Sequence, residues 1–128
     1  MGHQQLMLAI LGILIVGVAI AVAVTMFQSN AIDNSRSSLI NDLLYLASRA
    51  RSQYWKPATM GGANHDFTRV NFRDISTMSS NDNGRYYIES AAQSELILVG
   101  VGRVVSGTDT IRVRMRVNES KSIIEILN

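Results

Sequence analysis

The sequence contains no cysteine, a single proline and, before Asp33, no aspartate, glutamate, lysine or arginine. Without cysteine the chain has neither a disulfide framework nor thiolate chemistry, so stability outside a cell has to come from packing or assembly. Without an early lysine or arginine it lacks the basic n-region of a secretory signal peptide. We therefore expect the N-terminal segment to be retained, although small-x-small sites at Ala19, Ala21 and Ala23 leave a cleaved signal as the alternative.

Groups that could carry catalysis are also sparse. The formal net charge of +2 at pH 7 does not by itself indicate nucleic acid or an anionic membrane as a partner. His65, Asp66 and Asp74 lie in a polar stretch of sequence, but no motif places a nucleophile beside them. His3 and His65 have no other histidine or cysteine at metal-ligand spacing. We predict that the protein is not an enzyme and has no cofactor and no metal site.

The main feature that is present is an apolar segment, residues 6–27, in which Thr25 is the only polar side chain. As a helix rising about 1.5 Å per residue it would span about 33 Å, close to the ~30 Å hydrocarbon core of a bilayer. A helix that is apolar on every side needs apolar neighbours all round, and the rest of the chain is too short and too polar to enclose it. We predict that residues 1–30 form a transmembrane or filament-core helix.

A second helical pattern follows, in which apolar positions recur every three or four residues from Ile32 onward. This predicts an amphipathic helix over residues 31–56, ended by Pro57. Polar residues near Ser29 and Asn30 could cap it as a separate helix, but the absence of a strong breaker favours one continuous helix. The apolar positions are Ile32, Leu39, Ile40, Leu43, Leu46, Ala47, Ala50 and Tyr54.

The remainder of the predicted head, residues 31–128, consists of an αβ loop and a sheet. The loop covers residues 57–84, and we expect it to contain one short helical turn. Residues 85–90, 95–105, 110–117 and 122–127 are rich in β-branched side chains and are separated by turn residues, which predicts an antiparallel meander of about four strands over residues 85–128. The predicted fold class is α+β, with the amphipathic helix covering the apolar face of the sheet. Both faces of the second strand are apolar, so we expect it to lie centrally and to be covered on both sides.

The third strand alternates between apolar side chains and a basic stripe, Arg112, Arg114 and Arg116. Such a row can bind polyanions, but it more often forms a solvated face that discourages edge pairing. Specific nucleic-acid binding is therefore not expected. We predict either contact with acidic residues of a neighbouring subunit or neutralisation across strands. The candidate partners within the chain are Glu89, Glu95, Glu119 and Glu125.

This layout resembles the type IV pilin and pseudopilin family: an uncharged apolar helix at the N-terminus, an amphipathic continuation, a variable αβ loop and an antiparallel meander. Gly2 before the apolar run resembles the family's leader site, which implies cleavage between Gly2 and His3 by a prepilin peptidase. The chain differs from the family in having no basic leader and in carrying Gln4 and Gln5 where the family has an early glutamate. The resemblance implies a single-pass subunit of the bacterial inner membrane that assembly machinery transfers into an extracellular helical filament.

We therefore predict a homo-oligomeric pilus subunit that polymerises through its N-terminal helix. The alternatives are a minor pseudopilin of a secretion or DNA-uptake system, and a membrane-anchored binding module that never polymerises. Adhesion, motility, DNA uptake and conduction all remain open as roles of such a filament. The predicted core-packing side chains are Leu6, Leu8, Ile10, Leu11, Gly12, Leu14, Ile15, Gly17, Val18, Ala21, Val22, Val24 and Phe27.

Overall fold

The computed structural model describes residues 2–128, which divide between Ala31 and Ile32 into two compact units, the second being Ile32–Asn128. Helix α1 covers Gly2–Trp55, and Ser29 and Asn30 are helical, so the alternative of a separate second helix was wrong. Helix α2 covers Phe72–Ile75. The strands are β1 (Gly84–Ala91), β2 (Glu95–Ser106), β3 (Asp109–Asn118) and β4 (Ser122–Ile126).

The loop between α1 and β1 contains more structure than the single turn that the sequence predicted. Short 3-10 helices at Ala58–Met60 and Phe67–Arg69 precede α2. The side chain of Asp66 accepts from the Thr68 N–H and caps the second of these, a local bond that hydrophobic periodicity does not reveal. The loop turns at Gly61, whose φ of 81° lies in the left-handed region that glycine adopts without strain.

The strands form one antiparallel sheet in the order β1-β2-β3-β4, which confirms the predicted α+β fold and four-stranded meander. Residues 32–55 of α1 cover one face of this sheet. The core contains helix side chains such as Leu39, Leu43 and Ala50, all at 0 % exposure. The sheet contributes Leu96, Leu98, Ile111, Val113, Met115 and Val117. The alternating pattern that predicted the inward face of β3 was therefore correct.

Gly102 on β2 marks a close approach between the elements of this core. A Cβ atom built there would lie 2.3 Å from Ile111 Cγ1 and 3.2 Å from Leu39 Cδ1. Any larger residue would displace Ile111, because 2.3 Å is far below van der Waals contact, and would press on Leu39 at a tighter distance than usual. Gly102 thus provides the space in which the helix packs against β2 and β3.

The opposite face of the sheet is only partly covered. Val99 is 2 % exposed and lies in register between Tyr87 of β1 and Arg114 of β3. Ile97 and Val101 are only half-buried. The expectation that β2 would be covered on both sides was therefore wrong at these two residues, where neighbouring side chains give partial cover.

Candidate membrane and assembly segment

The apolar segment, residues 6–27, buries none of its large side chains within the chain. Their exposed fractions include 59 % for Leu6, 72 % for Ile13 and 77 % for Phe27. The helix is long and apolar enough to cross a membrane, and none of its most apolar stretch is buried. A signal sequence near the N-terminus meets the same criterion of length and composition. The segment is therefore compatible with a transmembrane span, as predicted.

The single polar side chain of the segment is satisfied locally. Thr25 Oγ1 donates to the carbonyl oxygen of Ala21 at 2.9 Å, four residues earlier in the helix. In hydrocarbon an unpaired hydroxyl would cost several kcal/mol, whereas a hydroxyl bonded to the i−4 carbonyl avoids most of that cost. Helical backbone pairing satisfies the peptide groups in the same way. The segment can therefore enter an apolar environment without leaving a side-chain donor unpaired.

Two glycines of the segment, Gly12 and Gly17, face open space. A Cβ atom at either position would meet no other atom within 4 Å, leaving aside the helix's own nearby backbone. Gly17 and Ala21 are one helical turn apart and form the small-xxx-small spacing that allows helices to approach closely. Because no other atom of this chain occupies that space, a larger residue there would make a new steric contact only with a neighbouring molecule.

The predicted processing junction lies at the start of α1. Gly2 and His3 are the first two residues of the helix, and both are exposed. Met1, which the predicted cleavage would remove with Gly2, lies outside the described residues. Gln4 and Gln5 follow in the same helix and are also exposed.

The structure gives each arginine of the basic stripe a carboxylate partner. Arg114 Nε lies 2.9 Å from Glu89 Oε2, and its Nη1 lies 3.5 Å from Glu125 Oε2. Arg116 Nε lies 3.9 Å from Glu95 and 4.0 Å from Glu125, and Arg112 lies 3.9 Å from Asp109. The hydrogen bond to Glu89 raises the pKa of the Arg114 guanidinium. The stripe is therefore neutralised within the chain.

The prediction that Glu119 pairs with the basic stripe was wrong. Its Oε2 accepts from the Tyr54 hydroxyl at 3.4 Å, and its backbone carbonyl accepts from Trp55 Nε1 at 3.3 Å. Burial, followed by the charge of Glu119, raises the pKa of Tyr54. Glu119 thus joins the turn after β3 to the end of α1 rather than to the basic stripe.

A polar network around Asp42 was not predicted from the sequence. Asp42 Oδ2 accepts from the amides of Asn81 and Asn83, each at 2.9 Å, and from the hydroxyl of Tyr86. Burial opposes ionisation of Asp42, but the three hydrogen bonds together lower the pKa of its carboxyl below the ordinary value. Burial and the bond to Asp42 raise the pKa of Tyr86. The network ties α1 to the loop and to β1.

His65, Asp66 and Asp74, three titratable residues of the αβ loop, each contact a local partner. The His65 ring packs edge-on against Trp55, with their ring centroids 4.9 Å apart. Asp66 accepts from Thr68, which lowers the pKa of its carboxyl, and Asp74 accepts from the Asn71 N–H at 3.1 Å. Each side chain therefore makes a separate local contact: His65 packs on an aromatic ring, and Asp66 and Asp74 each accept a hydrogen bond within their own turn.

The apolar segment thus contains most of the large apolar side chains that the described residues leave exposed. It is the feature of the structure that calls for a partner outside the chain, whether lipid or protein. Comparisons with protein-family models, with curated proteins and with solved structures find no match to this chain.

Proposed function

We propose that this chain is the repeating subunit of an extracellular, type IV pilus-like filament. Before assembly, the apolar segment holds the subunit in the bacterial inner membrane; in the filament, the same segments pack against one another. The observation that carries the proposal is a helix without charge over residues 6–27 and with exposed apolar side chains on every side.

The chemistry of the segment suits transfer from lipid to a helix bundle. An apolar helix surface is satisfied about equally by acyl chains and by other apolar helices, so packing and close approach decide between them. The first charges beyond the segment are Asp33 and Arg36, which lie 3.3 Å apart and pair with each other. No lysine or arginine borders the segment within residues 2–32 to hold it at one depth in the bilayer.

The second unit supports the same proposal because its core is complete without the apolar segment. Its buried side chains come from residues 39–117, and the cluster they form includes none from residues 6–27. A unit that folds around its own core can keep its structure while the apolar segment exchanges lipid for protein neighbours. The resemblance to pilins in layout supplies the remaining expectation, that this unit is displayed outward.

The test is a pair of substitutions at Gly17, which has open space around it in the single chain. Gly17→Leu adds bulk without charge, so we expect membrane insertion to persist while fibres disappear from sheared cell-surface material under negative stain. Gly17→Lys should abolish fibres as well. Gly17→Ala, which adds a single methyl group, is the matched control and should assemble.

Three results would contradict the proposal. Abundant fibres from Gly17→Leu and Gly17→Lys would show that the segment is not the filament core. Wild-type protein that is found only as lipid- or detergent-bound monomers would favour the membrane-anchored binding module. Rare, short fibres would instead favour a minor pseudopilin. Mass spectrometry of the mature N-terminus tests the associated cleavage between Gly2 and His3.

A further inference from the structure

The arginines of the second unit differ in their partners. Those of the basic stripe are paired with carboxylates on the outer face of the sheet. Arg49 and Arg73 form no salt bridge with any carboxylate within residues 2–128, and both are exposed. These two residues line the same concavity of about 220 Å³, between α1 and the chain around α2. Two arginines without a carboxylate partner thus line one groove, which was not predicted from the sequence.

An exposed aromatic ring lies in the same groove. Tyr45 is 59 % exposed, and its hydroxyl accepts from Arg49 Nη1 at 2.7 Å. The guanidinium carbon of Arg49 lies 5.5 Å from the centroid of the Tyr45 ring, within the range of a cation–π contact. These two contacts hold the Arg49 head in position, while its remaining N–H groups have no protein acceptor among the described residues.

The groove extends past Tyr45 into a second concavity of about 280 Å³. Tyr45, Ser76 and Thr77 line both concavities, and Ser80 and Asn81 line the second. Hydroxyl and amide groups therefore continue along the groove from the pair of arginines. Asp42 also lines this part, but its Oδ2 already accepts three hydrogen bonds.

One carboxylate, that of Asp74, lines the first concavity beside the arginines. Its Oδ2 accepts from the backbone N–H of Asn71 at 3.1 Å, as part of the cap of α2. The first concavity therefore combines two arginines with one acid, and a net positive charge remains there.

We propose that this groove binds an acidic sugar residue of a polysaccharide, of the uronic acid class. The carboxylate of the sugar lies against Arg49 and Arg73, because a planar guanidinium donates parallel hydrogen bonds to a carboxylate. The sugar ring packs on Tyr45, and its hydroxyls reach Ser76 and Thr77. An acidic peptide such as polyglutamate would use the arginines but would have no pyranose face of C–H groups to place on Tyr45. Binding does not depend on filament assembly, since the groove lies wholly within the unit Ile32–Asn128.

The test is calorimetric titration of the full chain, dispersed in a nonionic detergent, with trigalacturonate at low salt. Galactotriose is the neutral control, and tetraglutamate is the acidic peptide control. We expect trigalacturonate alone to bind. Arg49→Gln and Arg73→Gln should each weaken its binding about tenfold, since a hydrogen bond between charged groups contributes roughly that factor. Tyr45→Ala should also weaken it, to an extent that persists at high salt.

Arg112→Gln is the matched control, because it removes the same charge from a paired arginine of β3. Its affinity for trigalacturonate should remain that of the wild type. Equal binding of galactotriose would overturn the proposal, since the arginines would then not select the carboxylate. Equal binding of tetraglutamate would overturn the assignment to a sugar. Equal losses of affinity from Arg112→Gln and Arg49→Gln would show that binding depends only on net charge. An absence of trigalacturonate binding would reject the site. None of these results bears on whether the chain forms fibres.

Discussion

The first unit of this chain exposes its apolar side chains, whereas the second unit buries them in a core. In the first unit Leu14 and Ile15 are each 60 % exposed, whereas in the second Leu39 and Leu43 are completely buried against the sheet. Both sets lie on helical backbone, so helix formation alone does not decide burial. The difference lies in the pattern, which is apolar on all sides before Phe27 and confined to one face after Ile32. A chain can therefore complete one core internally while leaving a second apolar surface for its surroundings.

The strongest test of this difference between the units is to enlarge one glycine in each of them. Gly102→Val should lower the free energy of unfolding of the second unit by about 3 kcal/mol, because its Cβ would lie 2.3 Å from Ile111 and the packed core cannot yield. Gly12→Val should leave that free energy unchanged, since its Cβ meets nothing within 4 Å. Denaturant titration of both variants, followed by the fluorescence of Trp55, makes the measurement.

The control for this pair is Gly100→Ala. Its Cβ would lie 3.1 Å from the ring of Tyr86, a tighter contact than usual but with a side chain that can shift. We expect an intermediate loss of stability. If Gly12→Val destabilised the second unit as much as Gly102→Val, the two units would not be independent in their packing.

A smaller loss of stability is expected when the Asp42 network is removed. This loss concerns the second unit alone, because the first unit has no carboxylate to titrate. Asp42→Ala leaves the donors of Asn81, Asn83 and Tyr86 without their shared acceptor and should cost about 1–3 kcal/mol. Thermal unfolding followed by circular dichroism at neutral pH measures this loss. The isosteric variant Asp42→Asn, which keeps an acceptor oxygen, should lose less.

The same network makes the stability of the second unit depend on pH. Because the folded pKa of Asp42 is lowered, its contribution is fully present above the ordinary carboxyl value of 3.8 and is lost as pH falls through the folded value. We therefore expect the difference in stability between the wild type and Asp42→Asn to shrink as pH is lowered through that range. A difference that stayed constant down to the lowest pH at which the protein folds would contradict the assigned role of the carboxylate.

Local patterns predicted most of the architecture but little of what joins the elements. The alternation at Ile111, Val113 and Met115 predicted the buried face of β3, and the run without charge predicted the exposed helix, because both depend on neighbours in sequence. The Asp42 bonds to Asn81 and Asn83 connect residues about forty positions apart, and no periodicity encodes such a pairing.

The groove at Tyr45, Arg49 and Arg73 was missed for the same reason. In sequence, Arg49 stands among the solvent-facing residues of an amphipathic helix, and Arg73 lies in a loop. Their shared position depends on how residues 72–81 fold back on α1, which single-sequence patterns do not determine. The basic stripe was found because a period of two places its members together, and its pairing with Glu89, Glu95 and Glu125 was one of the two outcomes predicted for it.

The smallest expected effect is at this stripe, where the comparison between paired and unpaired arginines can be sharpened. Arg114→Gln removes the ion pairs to Glu89 and Glu125, but all these groups are solvated, and exposed ion pairs contribute little to stability. Apart from Gly12→Val, which should leave stability unchanged, we expect this variant to show the smallest change in unfolding midpoint, and that change should vanish as salt screens the pairs. Denaturant midpoints at low and high ionic strength provide the measurement. A loss as large as that of Asp42→Ala, and independent of salt, would mean that the Arg114 stem stabilises the sheet by covering Val99 rather than through its charge.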